Sequence, residues 1–321
     1  MTFTHKNRNT FNQENHITSW IVKVPATAAN LGPGFDVLGL ALGIYNTFKV
    51  RKEEKGFSLK ITGMGSENLP RDESNLAIQA FSAVIHENGK KMEGFHFEID
   101  NNFPLAKGLG SSASAIIGGI SLAYQVLDLP FMVEEILKSA LPFEGHADNL
   151  VPALLGGLQL VYYDENELRF KKLIPHPDLA VILVIPEGEI STQKARKSLP
   201  EHVSIKDCVF NMHCLAMSIQ CLIEGDCKDL VNHLKDRIHQ FHRIKLLDGL
   251  EELFMDLQKE FPGWVISGSG PTLLHFVEIQ EQASISVQIE EIVKGSKLNA
   301  QVLHCIPVTD GVLCLKPEPD E

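Results

Sequence analysis

The sequence has no run of about 18 uninterrupted apolar residues, which excludes a membrane-spanning helix. It has no strongly basic stretch either: 29 Lys and Arg stand against 41 Asp and Glu, and 29 minus 41 gives a net charge of -12. A nucleic-acid surface needs clustered cations, so nucleic acid is not an expected partner. No C-x-x-C pair occurs among the six cysteines, at 208, 214, 221, 227, 305 and 314. On an ideal helix Cys214 and Cys221 share a face while Cys208 and Cys227 do not, which disfavours a four-thiolate cage and predicts reduced, mostly buried thiols. The first twenty residues lack the apolar centre of a secretory leader and read as a polar tail. These absences predict a cytoplasmic protein. What is present is apolar material for real cores: 321 residues, 44% hydrophobic and 22% charged, the length of about two domains. No low-complexity linker or internal repeat separates the halves. The pattern places a tail at 1–19, one domain at 20–172 and a second at 173–321.

Apolar spacing predicts strands over 21–24, in a stretch ending near Val50, over 56–63 and over 95–100. Helical spacing covers 75–87, 113–127 and 132–139, and LVPALLGGLQLVYYD runs from helix into strand. LAVILVIPE reads as a buried strand, followed by long helices over 205–224 and 226–240. WVISGSGPTLLHFVE reads as strand, glycine turn, strand, and QVLHCIPV gives a late strand. Strands of antiparallel character interleaved with helices favour an α+β protein over a doubly wound sheet.

The strongest local signal is PLAKGLGSSAS from Pro104 to Ser114, set immediately before a helix. Glycines let backbone N–H groups turn inward, and a helix amino terminus adds unpaired donors and a favourable dipole. Together they make an anion cradle suited to phosphate, though the serines also suit simple capping. The loop has no G-x-x-x-x-G-K-[ST], which excludes a P-loop. It matches G-x-G-x-x-A in letters, but seven residues separate the preceding strand from Gly108, and Asp128 ends a helix where a dinucleotide site needs it to end a strand. A second cluster, Glu144, His146, Asp148 and Asn149, can supply a hard metal ligand, substrate hydrogen bonds and a general base, or merely cap a helix. Two further glycine turns, TAANLGPGFD ending at Asp36 and SGSGPT from Ser267, and two isolated arginines, Arg196 and Arg243, complete the chemistry-bearing set.

VPATAANLGPGFDVLGLAL, PLAKGLGSSASA, EGHADNLVPALLGG, STQKARKSLP and SGSGPT occur in an order that resembles the GHMP small-molecule kinases, the homoserine kinases in particular, over about residues 20 to 315. The resemblance implies a two-domain α+β GHMP fold, with an N-terminal domain like the ribosomal S5 second domain and a ferredoxin-like C-terminal domain. It implies ATP and Mg²⁺ as cofactors and L-homoserine as the small-molecule substrate, phosphorylated on its hydroxyl in threonine biosynthesis, by a cytoplasmic homodimer. Carried over by position, Pro104, Leu105, Ala106, Lys107, Gly108, Leu109, Gly110, Ser111, Ser112, Ala113 and Ser114 wrap the triphosphate, and Asn75 lies near the adenine. Ser112 and Glu144 reach the metal. Asn30, Asp36, His146, Asn149, Arg196 and Arg243 hold the amino acid, and Asn30, Asp148, Thr192 and Arg196 serve the transfer. The alternatives are a GHMP kinase for another small alcohol, such as mevalonate, and a GHMP-fold regulator without catalysis. The chain departs from the family pattern at Ala147, where Pro is frequent, and at Leu246-Leu247-Asp248-Gly249, where the family has Leu-Ile-Pro-Gly.

Overall fold

The computed structural model describes residues 19–92, 94–164 and 167–315; apart from Ser19, the expected polar tail lies outside them. The first part of the chain forms β1 (Ser19–Ala29), β2 (Leu38–Lys52), β3 (Phe57–Gly63), α1 (Leu76–Glu87), β4 (Phe95–Asn101), α2 (Ser111–Val126), α3 (Val133–Glu144), α4 (Leu150–Leu155), β5 (Leu158–Tyr163) and β6 (Leu168–Leu173). Then follow β7 (Leu179–Pro186), α5 (Thr192–Lys197), α6 (Ile205–Glu224), α7 (Cys227–His233), α8 (Gln240–Arg243), α9 (Leu250–Glu260), β8 (Val265–Ile266), β9 (Leu273–Glu278), α10 (Gln282–Gly295), β10 (Ala300–Cys305) and β11 (Leu313–Leu315). This is the mixed α+β architecture that the sequence pattern implies. No helix among the described residues is long and apolar enough to cross a membrane.

Two sheets organise these elements. One runs β11-β1-β2-β4-β3, and the other β10-β7-β9-β8. The 15-residue β2 serves two neighbours on one side: Leu38–Leu40 pair with β5, and Thr47–Lys52 pair with β4. β5 then carries β6. Every pairing is antiparallel except β3 with β4. The β1–β2 register shifts between Pro25 and Ala26, where proline has no N–H to give the ladder.

Three apolar cores follow from the strand period of two. On the outer face of the first sheet, Phe48, Val50 and Phe97 pack with Phe81 of α1 and Ile116, Ile117 and Ile120 of α2. Gly119 of α2 lies so close to α1 that a Cβ would overlap the Ala77 carbonyl, and this fixes the helix axis. All eight residues of β7 are buried, which explains its unbroken apolar run. Leu179, Val181, Leu183 and Ile185 share a core with Ala26, Ala28, Leu38, Leu40 and Leu42 of the first sheet. Ala180, Ile182 and Val184 face the opposite way, onto Leu253 and Leu257 of α9 and Ile289 and Val293 of α10. The two sheets therefore have one core in common.

The helix expected over 226–240 stops at His233. Asp236 ends it, its carboxylate accepting the N–H groups of Ile238 (3.1 Å), His239 (2.8 Å) and Gln240 (2.7 Å), which starts α8. All six cysteines are free; Cys214 and Cys221 are buried and Cys208 is less so, as the helical spacing requires.

His275 on β9 lies in the third core, its ring stacked on Trp264 at 5.0 Å between centroids. Burial pushes its imidazole down to about 4, well below the ordinary 6.5. The unfolded chain binds a proton there before the folded one does, so stability is full above pH 6.5 and falls as the pH drops through the folded value near 4. His275→Phe is expected to keep the stability measured by urea at neutral pH and to flatten the decline between those values. An equally steep decline in the variant would place the acid sensitivity elsewhere.

Candidate active site

The loop between β4 and α2 is held from the back. The Thr27 N–H donates to the Leu109 carbonyl (3.0 Å), Ser267 Oγ to the Gly108 carbonyl (2.6 Å) and the Thr272 N–H to the Lys107 carbonyl (3.2 Å). With carbonyls so engaged, the N–H groups of the first turn of α2 have no partner within the helix and are available to an anion. Gly110, the N-cap, has φ 68 and sits where a Cβ would overlap Thr27 Oγ1. That hydroxyl in turn donates to Asn149 Oδ1 (2.8 Å). Gly110→Ala is therefore expected to lower stability by about 1–3 kcal/mol and to weaken phosphate binding at the loop, read by thermal melting and titration with a polyphosphate. An unshifted melt with undiminished affinity would refute the close approach.

A cavity of about 250 Å³ opens in front of this turn. Its walls bring together Asn30, Asp36, Ser112, Glu144, His146, Asp148, Asn149, Thr192, Arg196 and Arg243, which come from five separate stretches of sequence. The turn after β1 is strained to do this: Asn30, Leu31 and Asp36 have φ of 72, 46 and 56, in the left-handed region that side chains avoid. Asn30 holds it, accepting the Asp36 N–H on Oδ1 (3.0 Å) and donating from Nδ2 to the Gly268 carbonyl (2.8 Å). Arg196 on α5 grips Asp36 with both guanidinium nitrogens, each at 2.9 Å. Thr192 opens α5 beside Ser191, whose side chain caps that helix. Arg243, 3% exposed, donates from Nη1 to the Gly268 carbonyl (2.7 Å) and lies 5.0 Å above the Phe35 ring. Burial pushes its guanidinium down to about 10, with Asp36 opposing, so it stays charged at neutral pH.

The opposite wall is acidic. Ser112 Oγ donates to Glu144 Oε2 (2.6 Å), and Asp148 Oδ1 accepts from His146 Nδ1 (2.9 Å). Burial raises the Glu144 carboxyl, and Ser112 and His146 offset only part of that. Burial also acts most strongly on His146 and lowers it, but the bond and charge of Asp148 together with Glu144 outweigh this and hold it above its ordinary value.

On the other side of α2 a second cavity, of about 200 Å³, is lined by Phe48, Leu69, Asn75, Ile99, Asn101 and Leu105 among others. Ser111 and Ser112 line both cavities. Asn75 reaches this space while capping α1, its Oδ1 accepting the Ala77 N–H (3.1 Å).

The eleven loop positions divide by where their side chains go. Ala106, Gly108, Gly110, Ser111 and Ser112 line the main cavity, and Leu105 lines the second. Lys107 turns away: its Nζ donates to the Pro186 carbonyl (2.9 Å) and to the Gly188 carbonyl at the end of β7, clamping the loop to the second sheet. Pro104 lines a separate depression beside β7 and β10. Leu109, Ala113 and Ser114 are buried. Ile190 completes the main cavity outside every quoted motif, while Ser191, Gly268 and Ser269 lie in motifs singled out above but carry no assigned role there. Gly268 and Ser269 belong to the SGSGPT turn and were within reach of a motif reading; Asn46, Phe48 and Ile99 of the second cavity stand on ordinary strands and carry no such signal.

Residues 75–157 match the family model of the GHMP kinases N terminal domain. The homoserine kinase of Aquifex aeolicus is 37% identical over 292 residues, spanning 91% of this chain and 98% of that protein. That of Natranaerobius thermophilus is 38% identical over 268 residues, 81% of this chain and 86% of its own. Among solved structures, a homoserine kinase from Cytophaga hutchinsonii superposes with a TM-score of 0.82 at 25% identity, covering 98% of this chain and 100% of that one. The L. major mevalonate kinase, at TM-score 0.69 and 16% identity over 89% of this chain and 95% of its own, shares the fold alone. Identity sustained across almost the whole of such relatives, on a fold that matches theirs from end to end, means that the chain belongs to the homoserine kinase family within the GHMP kinases.

Proposed function

We propose that the chain transfers the γ-phosphoryl group of ATP to the hydroxyl of L-homoserine, giving ADP and O-phospho-L-homoserine, a step toward threonine. One observation carries this reading beyond family membership. The amino terminus of α2 stands between two cavities, one mostly apolar and one that presents three carboxylates, Asp36, Glu144 and Asp148, and two guanidinium groups. The apolar cavity suits a flat base, the helix terminus suits the phosphates, and the polar cavity suits a small molecule with both an ammonium and a carboxylate.

Asp36 and Arg196 pair with each other across the mouth of the polar cavity, with side chains 38% and 40% exposed. A pair that open to water is weakly held. An amino acid displaces it by giving its ammonium to Asp36 and its carboxylate to Arg196, and Arg243 supplies a second, fixed positive charge. His146, Asn149 and Thr192 line the space where the hydroxyl must lie. Asp148, 4% exposed and fixed by His146, is the carboxylate left to accept the hydroxyl proton, because Asp36 faces Arg196 and Glu144 faces Ser112.

Ser112 and Glu144 fit Mg²⁺: a hydroxyl and a carboxylate oxygen 2.6 Å apart at the head of an anion cradle. Bound there together with ATP, Mg²⁺ would neutralise phosphate charge. The same reading makes the protein a cytoplasmic homodimer.

ADP release from Mg-ATP by the purified protein tests the assignment, with L-homoserine compared against L-serine, L-threonine, mevalonate and galactose. Selective turnover of homoserine with a phosphorylated amino-acid product is expected. ATP binding without turnover of any of these would replace the kinase assignment with a regulatory one.

A further inference from the structure

The 20-residue α6 turns Asn211, Cys214, Ser218, Cys221 and Leu222 into the protein. The helical period then sends Ile205, Val209, Met212, Ala216, Gln220 and Ile223 to the opposite side. There Ile205 is 83% exposed, Met212 60%, Val209 54% and Ile223 41%, and Ala216 and Gln220 are exposed too. A surface helix normally carries charge on that side, whereas a helix apolar all round is a buried one. The stripe runs the length of α6, about 30 Å.

Charge lies on one flank of the stripe, at its two ends. Lys206 follows Ile205 at the amino end, and Glu224, which accepts a hydrogen bond from Gln220 Nε2 (3.0 Å), follows Ile223 at the carboxyl end. Lys206 and Glu224 are five helical turns apart and therefore project in the same direction. Asp207 lies on the other side of the helix, in an exposed pair with Arg237 (3.3 Å).

The geometry points to a second copy of this chain as the occupant of this face, with the two α6 helices packed antiparallel about a two-fold axis. Such an axis maps each flank onto itself with the direction reversed. Lys206 then meets Glu224 of the other copy, and the contact occurs twice. Ile205 meets Ile223, and the small Ala216 lies opposite Met212 at the centre, where it lets the backbones approach. The ends of the stripe thus carry opposite charges in the arrangement that self-pairing needs, which an unrelated partner would not require. This surface lies outside both cavities; it rests on the homodimer put forward with the kinase reading above and names its contact.

Light scattering of the full chain across a range of concentrations tests it. The parent protein is expected at twice the monomer mass. The double variant Val209→Glu, Met212→Glu is expected at the monomer mass with an unchanged helical circular dichroism spectrum, since both positions face solvent within one copy. Lys206→Glu alone should raise the dissociation constant about tenfold, and adding Glu224→Lys should restore it. A parent that runs as a monomer would overturn both the homodimer and this surface. A variant pair that stays dimeric would overturn the surface alone, and a charge reversal that fails to restore pairing would overturn the antiparallel arrangement.

Discussion

Glu144→Gln is expected to slow phosphoryl transfer by about a hundredfold to a thousandfold while leaving the protein at least as stable as its parent. The two effects separate because the side chain answers to different demands. Its burial raises the carboxyl, so the folded protein binds a proton there more readily than the unfolded chain does. Ionised Glu144 therefore counts against the fold at neutral pH, and glutamine removes that charge while still accepting the Ser112 hydroxyl. Beyond its pull on His146, the charge would gain only from a cation brought in with ATP. Thermal melting and kcat as a function of Mg²⁺ concentration check both halves. A variant that melts well below the parent would mean that the carboxylate is structural, and one that keeps full turnover would remove it from the metal assignment.

Arg243→Met should be almost as damaging, with kcat/KM for homoserine falling about 10²- to 10³-fold and ATP affinity little changed. Arg196→Ala should fall less, because that guanidinium is nearly half open to water and already neutralised by Asp36. Arg243 is enclosed, it carries its charge despite burial, and its Nε has no partner. A buried cation with an unused donor on a cavity wall loses little in stability when replaced by a side chain of similar length, so methionine should leave the melting temperature close to the parent's. Steady-state kinetics with homoserine and with ATP varied separately give the split. Equal losses for the two arginines would contradict the role that burial assigns to Arg243.

The candidate site was more legible in the sequence than the scaffold that builds it. The glycine turns and polar clusters stand out because backbone strain and buried charge restrict which residues fit there. Asn30, Asp36 and Gly110 combine unusual φ values with hydrogen-bonding or close-approach duties. Lys107 shows the limit of reading a motif as a unit: its letter belongs to the loop, but its ammonium serves carbonyls that lie across the fold, and only tertiary structure reveals them. The apolar cavity was illegible for another reason, since Phe48 and Ile99 look like any core residues of a strand. Among the elements, β7 and α6 stood out through an unbroken apolar run and a long helical period. The break after α7 did not, because helical spacing continues through residues whose backbone N–H groups Asp236 takes for itself. Nor did α9, whose three buried leucines, Leu250, Leu253 and Leu257, are spread thinly among charged neighbours.

The core held in common by the two sheets also bears on how a chain of this kind changes over generations. Leu183 and Ile185 from one sheet and Leu40 and Leu42 from the other fill the same volume, so each sheet is part of the other's mould. A hybrid gene that joined the first 172 residues of this chain to the remainder of a relative would inherit two surfaces fitted to absent counterparts. Such recombinants should tolerate a junction there only when the two parents fill that common core with matching volumes. Substitutions that accumulate across the seam should arrive as compensating pairs, a gain of volume on one sheet answered by a loss on the other.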